Sequence, residues 1–168
     1  LKIEYSSQTD QASRGLQELW RKAFGSLAIR HEFRIAKWPE QLKASRAGKL
    51  MMWGVAESAT MPDGGYMLNL MYGPSAGQAN HARFDLPAYN ALFKAQASLP
   101  DGPEREALMD QMKRIGVAYM PYKIIAHRIA TDLLHPWVIG YRRHPFMRES
   151  WRYLDLDPAL RATRSPRP

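Results

Sequence analysis

"MMWGVAESATMPDGGYM", residues 51–67, begins as a strand and stops being one within five residues. Met51, Met52 and Trp53 run into Gly54 and Val55, and the chain then passes through small residues, Glu57 and Asp63 into a Pro-Asp-Gly-Gly turn. A tryptophan beside acidic residues at a strand end serves two ends equally well: ordinary packing, as for most tryptophans, or the wall of a ligand pocket. What precedes the stretch decides the fold.

"LKIEYSS" alternates Leu1, Ile3 and Tyr5 as a strand does. Leu16, Leu19, Trp20, Ala23 and Phe24 then recur at helical spacing, predicting an amphipathic helix over about 9–24. Ser7, Thr9 and Asp10 offer its N-cap and Gly25 its stop. "AIRHEFRIA" sets Ile29, His31, Phe33 and Ile35 against Arg30, Glu32 and Arg34, a strand with one wet face. Pro39 opens a second helix, 39–47, which Gly48 ends before the strand "LMMWGV". The order βαβαβ predicts an α/β fold, a parallel or mixed sheet flanked by helices. Ligands in such sheets sit beyond the carboxyl ends of the strands, where both Trp38 and Trp53 fall.

Downstream, "GYMLNLMYGP" reads as a short helix, followed by the polar loop "SAGQANHARFD". Asp85 with Pro87 starts a helix carrying Tyr89, Leu92 and Phe93, and Asp101 with Glu104 has capping-box spacing before a helix carrying Leu108, Met112, Ile115 and Tyr119. "YKIIAHRIATDLLHPWVIGY" reads as strand and loop, and "WRYLDLD" as a last strand.

At 168 residues the chain has the length of one domain with a real core. Hydrophobic residues at 45% and charged residues at 24% are globular values, which argues against disorder. No apolar run reaches the roughly 20 residues of a membrane-spanning helix. The net charge of +8 admits nucleic acid, anionic lipid or an acidic ligand as partner. Arg161, Arg164 and Arg167 lie in "LRATRSPRP", read as a frayed tail, and without them the body is only mildly basic. Zero cysteines exclude disulfides and thiolate chemistry. A chain that opens inside a strand, without Met, is expected to be a piece of something longer.

Reactive chemistry finds little footing. His31, His81, His127, His135 and His144 lack HExxH or any paired spacing for a metal, no GxSxG elbow is present, and Asp63–Gly65 lacks the glycine spacing of a phosphate loop. No catalytic residue, metal or cofactor is expected. "YRRHPFMRESWRY" interleaves Arg142, Arg143, Arg148 and Arg152 with Tyr141, Phe146, Trp151 and Tyr153, either a nucleic-acid surface or core aromatics beside solvated arginines.

These elements in this order resemble the C-terminal lobe of the family 5 extracellular solute-binding proteins, the dipeptide- and oligopeptide-binding group serving ABC importers. The resemblance rests on "LKIEYSS", "LQELWRKAFG", the strand leading to Trp38, "MMWG", "LNLMYGPSAGQANHARFDLPAYNALFKAQ", "LPDGPEREALMDQM", "PYKIIAHRIATDLLHPWVIGY" and "WRYLDLD", covering about residues 1–157. It implies one lobe of a type II periplasmic-binding-protein-like fold: residues 1–150 as ligand-binding lobe, 151–160 as a strand returning toward the N-terminal lobe, and 161–168 as a disordered tail. It implies a periplasmic, non-enzymatic protein that captures a peptide or similar small solute for ABC permease subunits, with no nucleic acid expected. The ligand-binding residues it points to are Trp38, Arg46, Trp53, Gly54, Val55, Glu57 and Asp63. In the family a carboxylate shortly after the tryptophan pairs with the peptide amine. Here "WGVAESATMPDGG" replaces the usual tryptophan, Ala-Asp-Tyr and Asp-Pro pattern, and offers Glu57 or Asp63 for that task.

Overall fold

The computed structural model describes residues 2–127, 129–147 and 149–164. Leu1 of the expected first strand, Arg148 of the basic stretch and Arg167 of the tail lie outside the described residues, as does the side chain of Arg164. The chain is α/β and divides into two compact units, Leu1–Glu57 with Asp63–Tyr122, and Ser58–Pro62 with Lys123–Pro168.

The first unit opens with β1 (Lys2–Ser7), α1 (Gln11–Ser26), β2 (Arg30–Ile35), α2 (Trp38–Arg46) and β3 (Met52–Trp53). The strands form a parallel sheet in the order β2-β1-β3. Central β1 buries Tyr5, Ser6 and Ser7. Because strand residues alternate faces, Ile3 and Tyr5 share a face with their register partners His31 and Phe33. Here α1 packs, through a chain of rings linking Tyr5, Trp20, Phe24, His31 and Phe33 at centroid distances from 5.4 to 6.2 Å. The opposite face carries the exposed pairs Lys2–Glu32 and Arg34–Glu4, worth little in solvent, together with Trp53, the register partner of Ser6.

Asp10 caps α1, accepting from the Ser13 amide at 2.9 Å. Gly25 does not stop this helix: it continues to Ser26, and the turn is made by Ala28 in the left-handed region (φ 53), closed by the Ile29 amide donating to the Phe24 carbonyl at 2.9 Å. Leu19, expected on the buried stripe, is 57% exposed. Buried Gln41 pins α2 across the strand ends, donating from Nε2 to the carbonyls of Ser7 and Ala36. The expected strand "LMMWGV" shrinks to Met52–Trp53, because pairing with β1 extends over only two residues.

The rest of this unit is helical: α3 (Gly64–Leu68) running into a 3₁₀ turn at Asn69–Met71, then α4 (Pro87–Ala97) and α5 (Pro103–Tyr119). Leu68, Tyr89 and Met112 form its buried core, with Met71, Phe84, Leu92, Phe93 and Met109 packed around them. The capping box expected at Asp101 and Glu104 is not made. Gly102 occupies the N-cap without a side-chain bond, and Asp101 instead accepts from Arg105. Met120, left-handed at φ 45, ends α5 just before Pro121.

The second unit contains β4 (Val138–Ile139), β5 (Asp155–Leu156) and α6 (Pro158–Arg164). The strands pair antiparallel over two residues each. Gly140 (φ 79) is required beside them, since a Cβ there would lie 2.3 Å from the Tyr153 carbonyl oxygen. Of residues 122–141, expected as strand and loop, and 151–157, expected as a last strand, the described residues form strand at Val138–Ile139 and Asp155–Leu156. A β-branched run stays a strand only where a neighbour completes its ladder, and Ile129 and Leu133 are 94% and 93% exposed. Residues 161–164, in the expected tail, are helical.

Within this unit the Arg143 guanidinium is committed to the Asp132 carboxylate, with Nε donating at 2.7 Å, and Arg152 lies over the Trp151 ring. Arg143, and then Tyr141, hold the Asp132 carboxyl down at about 2. A depressed carboxyl contributes its stabilisation above its ordinary value of about 3.9 and loses it as pH falls through about 2. Carbon-detected NMR titration is therefore expected to place the Asp132 midpoint near 2, and Arg143→Met to return it toward about 4.

Candidate functional site

At the carboxyl ends of the parallel strands lies a cavity of about 580 Å³. Helix α2 presents Trp38, Leu42 and Arg46 to it, residues four apart and so on one helical stripe. Leaving β3, the chain contributes Val55, Ala56 and Glu57. From α3 and the following turn come Tyr66, Asn69 and Leu70, again one stripe, and the loop after them adds Gly77, Gln78, Ala79 and His81.

Trp38 is 38% exposed and stacks on Trp53, with ring centroids 5.4 Å apart and planes inclined by 29°. His81 meets the Trp53 ring at a steep angle, 5.2 Å away. Trp53 thus stands behind the wall and buttresses Trp38 and His81, both of which line the cavity. Trp38 also borders a second, smaller cavity of about 390 Å³ with Gln8, Ile35 and Lys37.

The polar groups carry both signs. The Tyr66 hydroxyl donates to Glu57 Oε1 at 2.9 Å, and Arg46 brings a guanidinium from the α2 side. His81 is held by its Nδ1 contact with the Oγ of buried Ser45, 3.0 Å away. Burial, then the nearby Arg46, pushes the His81 pKa below its ordinary value, and Glu57 partly offsets this. The shift favours the neutral ring. Such a site suits a small organic solute: indole and aliphatic side chains take its apolar surface, while the carboxylate, guanidinium and amides take its polar groups.

Of the residues singled out from the sequence, Trp38, Arg46, Val55 and Glu57 come together around the cavity. Trp53 is one shell behind them. Gly54 lies outside the wall, its α-carbon passing so close to Tyr5 that an added Cβ would sit 3.2 Å from the hydroxyl. Asp63 does not join the site. Its carboxylate receives Arg105 Nη2 at 2.9 Å on both oxygens and caps α3, accepting from the Gly65 amide at 2.7 Å. Arg105 first, then Gly65, lowers its pKa, and a carboxylate so engaged is a structural anion.

Leu42, Tyr66, Asn69, Leu70 and His81 were missed from the sequence. The 38/42/46 and 66/69/70 spacings are the signals that could have found the helical ones. Nothing local marks His81, which reaches the site through the loop fold.

No family model matches the chain. Among curated relatives, the probable deoxycholate-binding periplasmic protein YgiS of Escherichia coli is 28% identical over 129 residues, 77% of this chain and 23% of its own length. Heme-binding protein A of Haemophilus influenzae is 27% identical over 123 residues, 72% of this chain and 22% of its own length. Among solved structures, HbpA2 of Haemophilus parasuis superposes with a TM-score of 0.75 at 18% identity, covering 93% of this chain and 32% of that one. The ABC transporter-associated periplasmic binding protein DppA of Helicobacter pylori, in complex with the peptide STSA, gives 0.65 at 18% identity, covering 72% and 24%. The chain therefore spans less than a third of the length of the proteins it matches. In sequence and in fold it matches part of a family 5 extracellular solute-binding protein, one lobe of the type II periplasmic-binding-protein architecture.

Proposed function

We propose that this chain belongs to the substrate-binding component of an ABC importer, acting in the periplasm, and that the cavity behind Trp38 holds part of a peptide or similar small solute. The observation that carries this reading is the position of the cavity at the carboxyl ends of three parallel strands, walled by Trp38, which Trp53 backs, and edged by Arg46 and Glu57, in a chain resembling periplasmic binding proteins. Of the two acidic candidates, Glu57 is the one available to a ligand amine or hydroxyl: a carboxylate accepts about four hydrogen bonds, and Tyr66 supplies one.

Such a protein needs no catalytic residue. It works by closure, in which contacts from both lobes favour a closed state that is offered to the permease. A second lobe supplies the remaining contacts and covers apolar side chains such as Ile129 and Leu133, left in solvent here.

The test is isothermal titration of the complete gene product with the peptide Ser-Thr-Ser-Ala, haemin and deoxycholate as probes. At least one is expected to bind saturably, and Trp38→Ala to weaken it by about tenfold, the loss of one buried aromatic contact. The isolated chain, with one side of the contacts, is expected to bind the same probe more weakly. Absence of saturable binding by the complete protein, or equal affinity of the isolated chain, overturns the reading.

A further inference from the structure

We infer that Arg105, which does not line the cavity, is the positioning residue for its acidic wall. This deepens the reading above, since it concerns how the same site is held in shape. Its guanidinium, with the side chain only 12% exposed, distributes its donors over three elements. Nε donates to the Gln96 carbonyl at 3.2 Å and to Gln96 Oε1 at 3.1 Å, at the end of α4. Nη1 donates to Asp101 at 2.5 Å, and Nη2 to both oxygens of Asp63 at 2.9 Å.

Asp63 is the N-cap of α3. That helix has five residues, too few to be stable without tertiary support, yet it carries Tyr66 and runs into Asn69 and Leu70, three residues of the cavity wall. Tyr66 in turn holds the Glu57 carboxylate at 2.9 Å. The chain from Arg105 to Glu57 is thus continuous: hydrogen bonds join Arg105 to Asp63, Asp63 to the Gly65 amide and Tyr66 to Glu57, and the α3 backbone joins Gly65 to Tyr66. Only a planar fork reaches Gln96, Asp101 and Asp63 together; a lysine ammonium at position 105 presents a point charge instead. Close packing reinforces the joint: a Cβ on Gly65 would lie 3.1 Å from both Arg105 Nη2 and Asp63 Oδ1.

The experiment needs no ligand. NMR of the chain reads two quantities, the amide exchange rate of Asn69, whose N–H donates to the Gly65 carbonyl at the end of α3, and the cross-relaxation between the Tyr66 ring and the Glu57 side chain. Arg105→Met is expected to speed Asn69 exchange by about 10-fold to 100-fold, the scale of a lost charge-assisted hydrogen bond, and to abolish the Tyr66–Glu57 cross-peaks while β1 amides keep their protection. Arg105→Lys is expected to behave like Arg105→Met, because the fork rather than the charge does the holding. Asp63→Asn retains a cap acceptor and removes the ion pair, so it supplies a folded variant in which the same two signals shift in the same direction. Unchanged exchange and intact cross-peaks in Arg105→Met or Asp63→Asn overturn the inference, as does full rescue by lysine. Failure here leaves the binding reading standing, and absence of probe binding leaves these signals unaffected.

Discussion

Replacing Tyr89 with alanine is expected to remove about 3–5 kcal/mol of stability, the usual cost of deleting a buried aromatic ring. Tyr89 is fully buried, at 0% exposure, and its ring packs edge-on to Phe84 beside Leu68 and Met112. Its hydroxyl donates to the Leu68 carbonyl at 2.7 Å, joining α4 to the end of α3. Burial pushes the hydroxyl pKa well above its ordinary value, so it remains a donor across the physiological range. Alanine leaves a cavity and removes the side-chain donor to the Leu68 carbonyl together. Against a total of about 5–15 kcal/mol for a typical domain, such a loss is a large fraction of what exists. Urea denaturation followed by tryptophan fluorescence measures it, and Tyr89→Phe, which keeps the ring and drops the bond, separates the packing share from about 1–2 kcal/mol for the hydrogen bond. A fall of less than about 1 kcal/mol in Tyr89→Ala would show that the α3–α4–α5 core closes over the gap.

Asn80→Ala is expected to cost about 3 kcal/mol by a different route, stripping the Phe84 carbonyl and amide of their side-chain partner and leaving the Tyr72 carbonyl with the Ser75 amide alone. Asn80 is also at 0% exposure. Its Nδ2 donates to the carbonyls of Tyr72 at 3.1 Å and Phe84 at 2.8 Å, and its Oδ1 accepts from the Phe84 amide at 3.3 Å. Its neighbours Ala79 and His81 both face the cavity, so the same side chain that satisfies the loop from within aims the wall outward. Loss of stability and displacement of the His81 ring are therefore expected together, the first by thermal denaturation and the second by the imidazole NMR shifts. Asn80→Asp sharpens the test: a carboxylate still accepts from Phe84 but cannot donate to either carbonyl, so it is expected to be at least as damaging as alanine. A stable Asn80→Asp protein would sink this account of the loop.

Both positions show why the site was only half legible in the sequence. Trp38, Arg46, Val55 and Glu57 could be named because a strand end is a local feature, and parallel sheets place ligands there. Asp63 carried the same local signal, an acidic residue in a loop after a strand, and proved to be the partner of Arg105, 42 positions away. Nothing near Asp63 in the chain distinguishes an anion waiting for a ligand from one already paired.

The sequence by itself determined the βαβαβ order, the helices that follow it, and the placement of tryptophans at the exits of strands. These depend on periodicity and on capping and turn residues, interactions that reach no more than a few residues along the chain. Tertiary structure alone decided that Trp53 stands behind Trp38, that His81 and Tyr66 complete the wall, and that "YKIIAHRIATDLLHPWVIGY" forms, among its described residues, strand at Val138–Ile139. A strand needs a partner to complete its ladder and a charge needs a counter-charge within reach, and both are supplied by residues that only the fold brings near.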